Sequence, residues 1–272
     1  MHSSTDGRSQ IKQIQIDILV ILYKYRFGSR QLIAKALNSN PSTMYKKLLV
    51  LEKHGLINVR QEKRSKLYGI PSAYYLTPKS LKHLQSLADY SFIDQKIIKG
   101  SYRDKSVSES TVLYSFAVFD QILAMKRQYP ALKAFMRRDM ARFTYFPDNP
   151  PNAFLSLPDG DGTKRFFYDY IQDNLERKAI YQKIAAYYWF FDSGEWDVTG
   201  VDMPTILFVA EKASTERRVT RIIKGVINSI DTDVDLQILI TTKRAVEQID
   251  TEPVIWTSIE DPDDLLALDK AQ

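Results

Sequence analysis

Between positions 42 and 66 the chain collects residues suited to meeting a phosphate: Ser42, Thr43, Lys46, Lys47, Arg60, Lys63, Arg64 and Lys66. Lysine and arginine neutralise backbone phosphates and release the counterions condensed on them, a gain that accumulates with each contact. Side chains carried on a helix can also reach base edges, which adds sequence preference to that affinity. Other chemistries are poorly supplied. None of the 272 residues is a cysteine, which excludes disulfides, thiolate zinc sites, iron–sulfur clusters and cysteine nucleophiles. Three histidines leave little for a histidine metal site or a Ser-His-Asp triad.

The charge is divided along the chain. Residues 1–106 hold 19 Lys and Arg against 7 Asp and Glu, a net of +12, whereas residues 107–272 hold 19 against 26, a net of −7. The overall +5 conceals a basic module joined to a mildly acidic one, and a polyanion is the expected partner of the first. The polar stretch Met1–Gln10 lacks the apolar core of a signal peptide, and no apolar run approaches a membrane span. A soluble, cytoplasmic protein without membrane contact is expected.

The elements that must carry the basic residues follow from periodicity. Ile11, Ile14, Ile18 and Leu22 recur at helical spacing up to Tyr25, and Gly28 suits a left-handed turn after that helix. Ser29 caps a short second helix, and Asn40-Pro41 opens a third. In the third helix Met44, Leu48 and Leu51 form the inward stripe, while Thr43, Lys46, Lys47 and Val50 lie on another side. A strand from Ile57, the basic turn 63–66, a strand at Tyr74–Leu76 and a helix capped by Thr77 follow. This order, with Thr43–Ile57 as its third-helix segment, resembles the winged-helix family. The resemblance implies an α+β winged helix-turn-helix over residues 1–90 that binds double-stranded DNA.

Residues 91–110 are polar and basic and read as a linker. From 111 the pattern is α/β: the helix 107–128, a strand at Ala141–Phe146, strands on either side of the turn 158–162, and a long helix from Leu175 to Phe191. The apolar strand Pro204–Val209, the helix Ser214–Ile230, the strand Leu236–Thr241, the helix Lys243–Gln248 and the strand Val254–Ser258 complete a mixed sheet, followed by an acidic tail. This second module, residues 111–272, resembles the restriction-endonuclease-like fold. Asn152-Ala153-Phe154-Leu155, Arg165-Phe166-Phe167-Tyr168-Asp169, Lys183-Ile184-Ala185-Ala186-Tyr187-Tyr188, Gly194-Glu195-Trp196 and Met203–Val209 carry a narrower resemblance. It is to the replication-relaxation proteins of plasmids and integrative elements.

That resemblance implies a role in mobile-element replication, relaxation or transfer, with a relaxase or replication initiator and a second copy of the chain as partners. It also points to a nuclease centre. Hydrolysis there needs two carboxylates on Mg²⁺ and a lysine. Asp169 and Lys183 match the family positions, but Asn152 replaces the first acidic residue and Ile171 the second. Asp148, Asp159 and Asp161 are the other nearby acids, in segments that also suit ordinary turns. The expectation is therefore a domain without catalysis and without a cofactor; Mg²⁺ enters only if Asp169, Lys183 and Asp148 or Asp159 form a displaced centre. A transcriptional regulator is a further reading of the same first module.

Overall fold

The computed structural model describes residues 11–61 and 66–271, which fall into two compact units, before and after the Phe119–Asp120 bond. Met1–Gln10 and the Lys63 and Arg64 positions of the expected basic turn lie outside the described residues.

The first unit begins with α1 (Gln13–Tyr25), α2 (Arg30–Ala36) and α3 (Pro41–Lys53). The side chain of Ser29 accepts from the Leu32 amide at 3.1 Å, and Asn40 accepts from the Ser42 amide at 2.8 Å. These oxygens satisfy amides that a helix start otherwise leaves orphaned. β1 (Ile57–Arg60) and β2 (Ala73–Leu76) pair antiparallel, and α4 (Pro78–Gln85) follows, with Thr77 accepting from the Ser80 amide. Ile18, Leu19 and Leu22 of α1 are fully buried, as are Met44, Leu48 and Leu51 of α3.

Gly28 differs from its expected role. The positive φ sits on Arg26, at 68° with ψ at −50°, where the Phe27 amide donates to the Tyr25 carbonyl in a tight three-residue turn, while Gly28 bridges to Tyr74 through a pair of backbone hydrogen bonds. A Cβ on Gly28 would stand 2.9 Å from Ile33 Cγ1, so close packing of α2 is what excludes a side chain.

The expected linker is also more ordered than its composition suggests. It contains α5 (Gln95–Gly100) and a 3₁₀ turn, Ser101–Lys105, whose Asp104 is buried and pairs with Arg26 at 2.8 Å. α6 (Glu109–Gln128) starts in this unit: Val112 and Phe116 pack with Phe27 and Tyr75. The unit boundary therefore falls inside α6, later than the polar stretch implies.

The second unit is built on a seven-stranded mixed sheet in sequence order: β3 (Lys133–Met136), β4 (Ala153–Asp159), β5 (Gly162–Ile171), β6 (Thr205–Ala210), β7 (Ile238–Thr242), β8 (Val254–Ser258) and β9 (Leu265–Ala267). β5, β6 and β7 are parallel, and the outer pairings on both sides are antiparallel. Between them run α7 (Arg137–Met140), α8 (Arg177–Asp192), α9 (Ala213–Ile227) and α10 (Lys243–Glu247).

Alternation along β5, β6 and β7 puts Phe167, Ile171, Ile206, Phe208, Ile238 and Ile240 on one face, against Ile180, Ile184, Tyr187, Val219 and Ile223 of α8 and α9. The strand expected at Ala141–Phe146 is absent. That segment turns, and Phe146 packs against Phe154, Phe167 and Trp196. Its aromatic content reflects ring packing rather than a hydrogen-bonded ladder, and β3 lies earlier in the chain. β9 arises within the tail read from sequence only as acidic.

Candidate nucleic-acid interface and a buried carboxylate centre

The capped start and inward stripe of α3 fix which of its side chains face solvent. Ser42, Thr43, Tyr45, Lys46, Leu49 and Val50 are exposed and Lys47 is half-buried. Lys46 and Lys47 have no ion-pair partner among the described residues, so both ammonium groups remain available to an anion. Tyr45 and Leu49, 42% and 44% exposed, complete this face; sequence periodicity passed over them because apolar side chains read as core. The Arg30 guanidinium lies 5.6 Å from the centre of the Tyr45 ring, which orients that ring.

The same α3 side chains border a groove of about 630 Å³, lined by Thr43, Lys46 and Lys47 together with Lys12 and Gln15 of the α1 start and Lys79 and His83 of α4. Lys12, Lys79 and His83 were not among the expected site residues. They are distant in sequence, and no local spacing connects them to α3.

The strand residues behave differently. Arg60 is half-buried and donates to the Asp104 carbonyl at 3.3 Å, so it holds the Ser101–Lys105 turn instead of standing free at the surface. Lys66 is exposed, and beside it Leu67 and Tyr68 are 85% and 70% exposed.

In the second unit the sheet register brings Asn152, Asp169, Lys183 and Tyr187 together. Asp169 lies on the β5 face covered by α8, and Lys183 and Tyr187 are one helical turn apart on α8. Asp169 Oδ1 accepts from the Asn152 amide at 3.1 Å. Asp169 Oδ2 accepts from the Tyr187 hydroxyl and lies 3.1 Å from Lys183 Nζ. The Asn152 side-chain oxygen in turn accepts from the Tyr170 amide at 2.9 Å.

Burial pushes the Lys183 ammonium below its usual range, and the Arg137 charge adds to the effect; Asp169 opposes both. A buried carboxylate with both oxygens engaged is a stable structural element, because each lone-pair direction used removes part of its desolvation cost.

The chemistry expected of a nuclease centre is not assembled. Asn152 offers a neutral amide, Ile171 sits in the apolar cluster, and Asp148 is exposed. Asp159 pairs with Gly162 at the hairpin end, and from there to Asp169 the strand advances roughly 20 Å. Asp159 lies 3.4 Å from Lys164 instead, and Asp161 is exposed in the same hairpin turn. Among the described residues no group of three or more His, Cys, Asp or Glu could hold a metal ion. Asp169 and Lys183 alone do not fit a Mg²⁺ centre.

No family model matches the chain, and no curated protein matches it. Among solved structures, the restriction endonuclease FokI, free and bound to DNA, is similar at 13% identity with a TM-score of 0.29. The match covers 91% of this chain and 46% of the FokI chain, so this chain spans less than half of that length. No helix among the described residues is long and apolar enough to cross a membrane.

Proposed function

We propose that the chain is a non-catalytic, sequence-selective double-stranded DNA-binding protein. In this reading the first unit is a winged helix whose α3 enters the major groove, with Ser42, Thr43, Lys46 and Lys47 reading and holding the duplex. The second unit is a restriction-endonuclease-like domain that has lost its metal centre and serves contacts with a second copy or with a relaxase or replication initiator.

The observation that carries the reading is the exposed face of α3, where Lys46 and Lys47 stand without acidic partners among the described residues on a capped helix. The net charge of +12 over residues 1–106 supports it independently. The resemblance to replication-relaxation proteins supports a role in mobile-element replication, relaxation or transfer. Occupation of both Asp169 oxygens by neighbouring donors argues against hydrolysis.

Selection of bound fragments from a random duplex library, followed by sequencing, tests the proposal. The expected result is enrichment of one site, lost when Lys46 and Lys47 are replaced by Ala. Recovery of unenriched DNA, or of none, overturns sequence-selective binding.

A further inference from the structure

The groove between the start of α1, α3 and the start of α4 has a composition unlike an ordinary surface cleft. Four lysines line it, Lys12, Lys46, Lys47 and Lys79, with His54 and His83. Among the described residues no Asp or Glu lines it. Cations gathered without counter-charges repel one another and raise the local positive potential, an arrangement relieved by a bound polyanion. His83 Nε2 is shielded from solvent yet has no hydrogen-bond partner among the described residues. A buried polar atom left unsatisfied costs free energy, and here it belongs to a ring on the groove wall.

Resting on the DNA reading of α3, we propose that this groove seats the phosphodiester backbone of one DNA strand beside the inserted helix, held by Lys12 and Lys79. The two lysines come from different elements, the start of α1 and α4, and Lys46 and Lys47 of α3 line the same groove. A helix lying in the major groove has a backbone strand along each flank, so a basic groove bordered by α3 is placed to meet one of them. Lys79 already donates one hydrogen bond to the His54 carbonyl, at 2.9 Å. That bond fixes its stem and leaves further ammonium hydrogens for a phosphate oxygen. Contacts of this class set position on the duplex and carry no base information.

The test uses the full chain and labelled duplexes, one with the selected site and one of random sequence. Lys12→Ala with Lys79→Ala is expected to weaken both by a similar factor, roughly tenfold, and to reduce the magnitude of the log–log salt slope by up to about two. Because Lys79 also caps the end of α3, Lys12→Glu alone serves as a second variant. Lys12 is the N-cap of α1, but there its backbone amide donates to Gln15 Oε1, a bond the substitution leaves in place, and the variant is expected to weaken both duplexes equally. A run of uncharged methylphosphonate linkages in one flanking strand should weaken the wild-type protein and leave the double variant indifferent. Unchanged affinity and slope in both variants, with Lys46→Ala/Lys47→Ala still impaired, overturns this assignment and leaves the DNA reading intact. Absence of duplex binding by the wild type overturns both.

Discussion

Lys183 and Asp169 face each other at 3.1 Å across the α8–β5 interface, their side chains 13% and 1% exposed. The same carboxylate accepts from the Asn152 amide and the Tyr187 hydroxyl, so one residue of β5 ties together the start of β4 and the middle of α8. Where a metal-dependent centre would place an exposed acidic pair, this chain has a closed polar clasp.

Removing the acceptor should therefore cost stability. Asp169→Ala leaves the Asn152 amide, the Tyr187 hydroxyl and the Lys183 ammonium without their shared partner, and loss of about 3–5 kcal/mol in unfolding free energy is expected. Urea denaturation measures it, and duplex affinity of the folded variant should stay at the wild-type level. A loss below about 1 kcal/mol contradicts the structural role.

Lys183 also makes stability depend on pH. Burial lowers its proton affinity in the folded chain, whereas the unfolded chain keeps the ordinary lysine value of about 10.4. Between the two values the unfolded state holds more protons, so this residue makes the unfolding free energy rise with pH. Lys183→Met should remove that rise from the difference between the two pH profiles. Parallel profiles across the alkaline range would show that burial is not what governs this lysine.

Asn152→Asp tests what the neutral side chain at this position does. It puts a second carboxylate where the Asn152 side-chain oxygen accepts from the Tyr170 amide, one residue along β5 from Asp169, with repulsion expected to lower stability by about 1–3 kcal/mol. Added Mg²⁺ should recover part of the lost thermal stability in the variant and leave the wild type unaffected. A variant indifferent to Mg²⁺ contradicts the view that the neutral amide is what separates this site from a cation site.

Gly28→Ala should destabilise the first unit by about 1–3 kcal/mol, because its Cβ meets Ile33 Cγ1 at 2.9 Å in a packed core. Thermal unfolding followed by circular dichroism measures this. An unchanged midpoint would mean that α2 shifts without cost.

Much of this arrangement was readable before folding is considered. The α3 cap at Asn40 and its stripe of Met44, Leu48 and Leu51 follow from capping chemistry and a period of 3.6, and both are local properties. The pairing of Asp169 with Lys183 was suggested by motif order. Its closure by Tyr187 depends on sheet register and on how α8 lies over β5, which no single segment encodes. Arg60 looked like a free wing cation until Asp104 came to it from a stretch read as linker. The aromatic run 141–146 has strand composition but spends its rings on Trp196 and Phe167. Lys12 and Lys79 escaped notice because only the tertiary fold makes them neighbours of α3.

The most direct test of the central claim is an equilibrium titration of a labelled duplex with the 272-residue chain in Mg²⁺, read by fluorescence anisotropy, with the DNA then examined for nicks. The account predicts that the wild type binds, that Lys46→Ala with Lys47→Ala binds at least about tenfold more weakly while remaining folded, and that the duplex is recovered intact. Unchanged affinity in the double variant would contradict the role given to α3. Mg²⁺-dependent nicking abolished by Asp169→Ala would contradict the non-catalytic reading of the second unit.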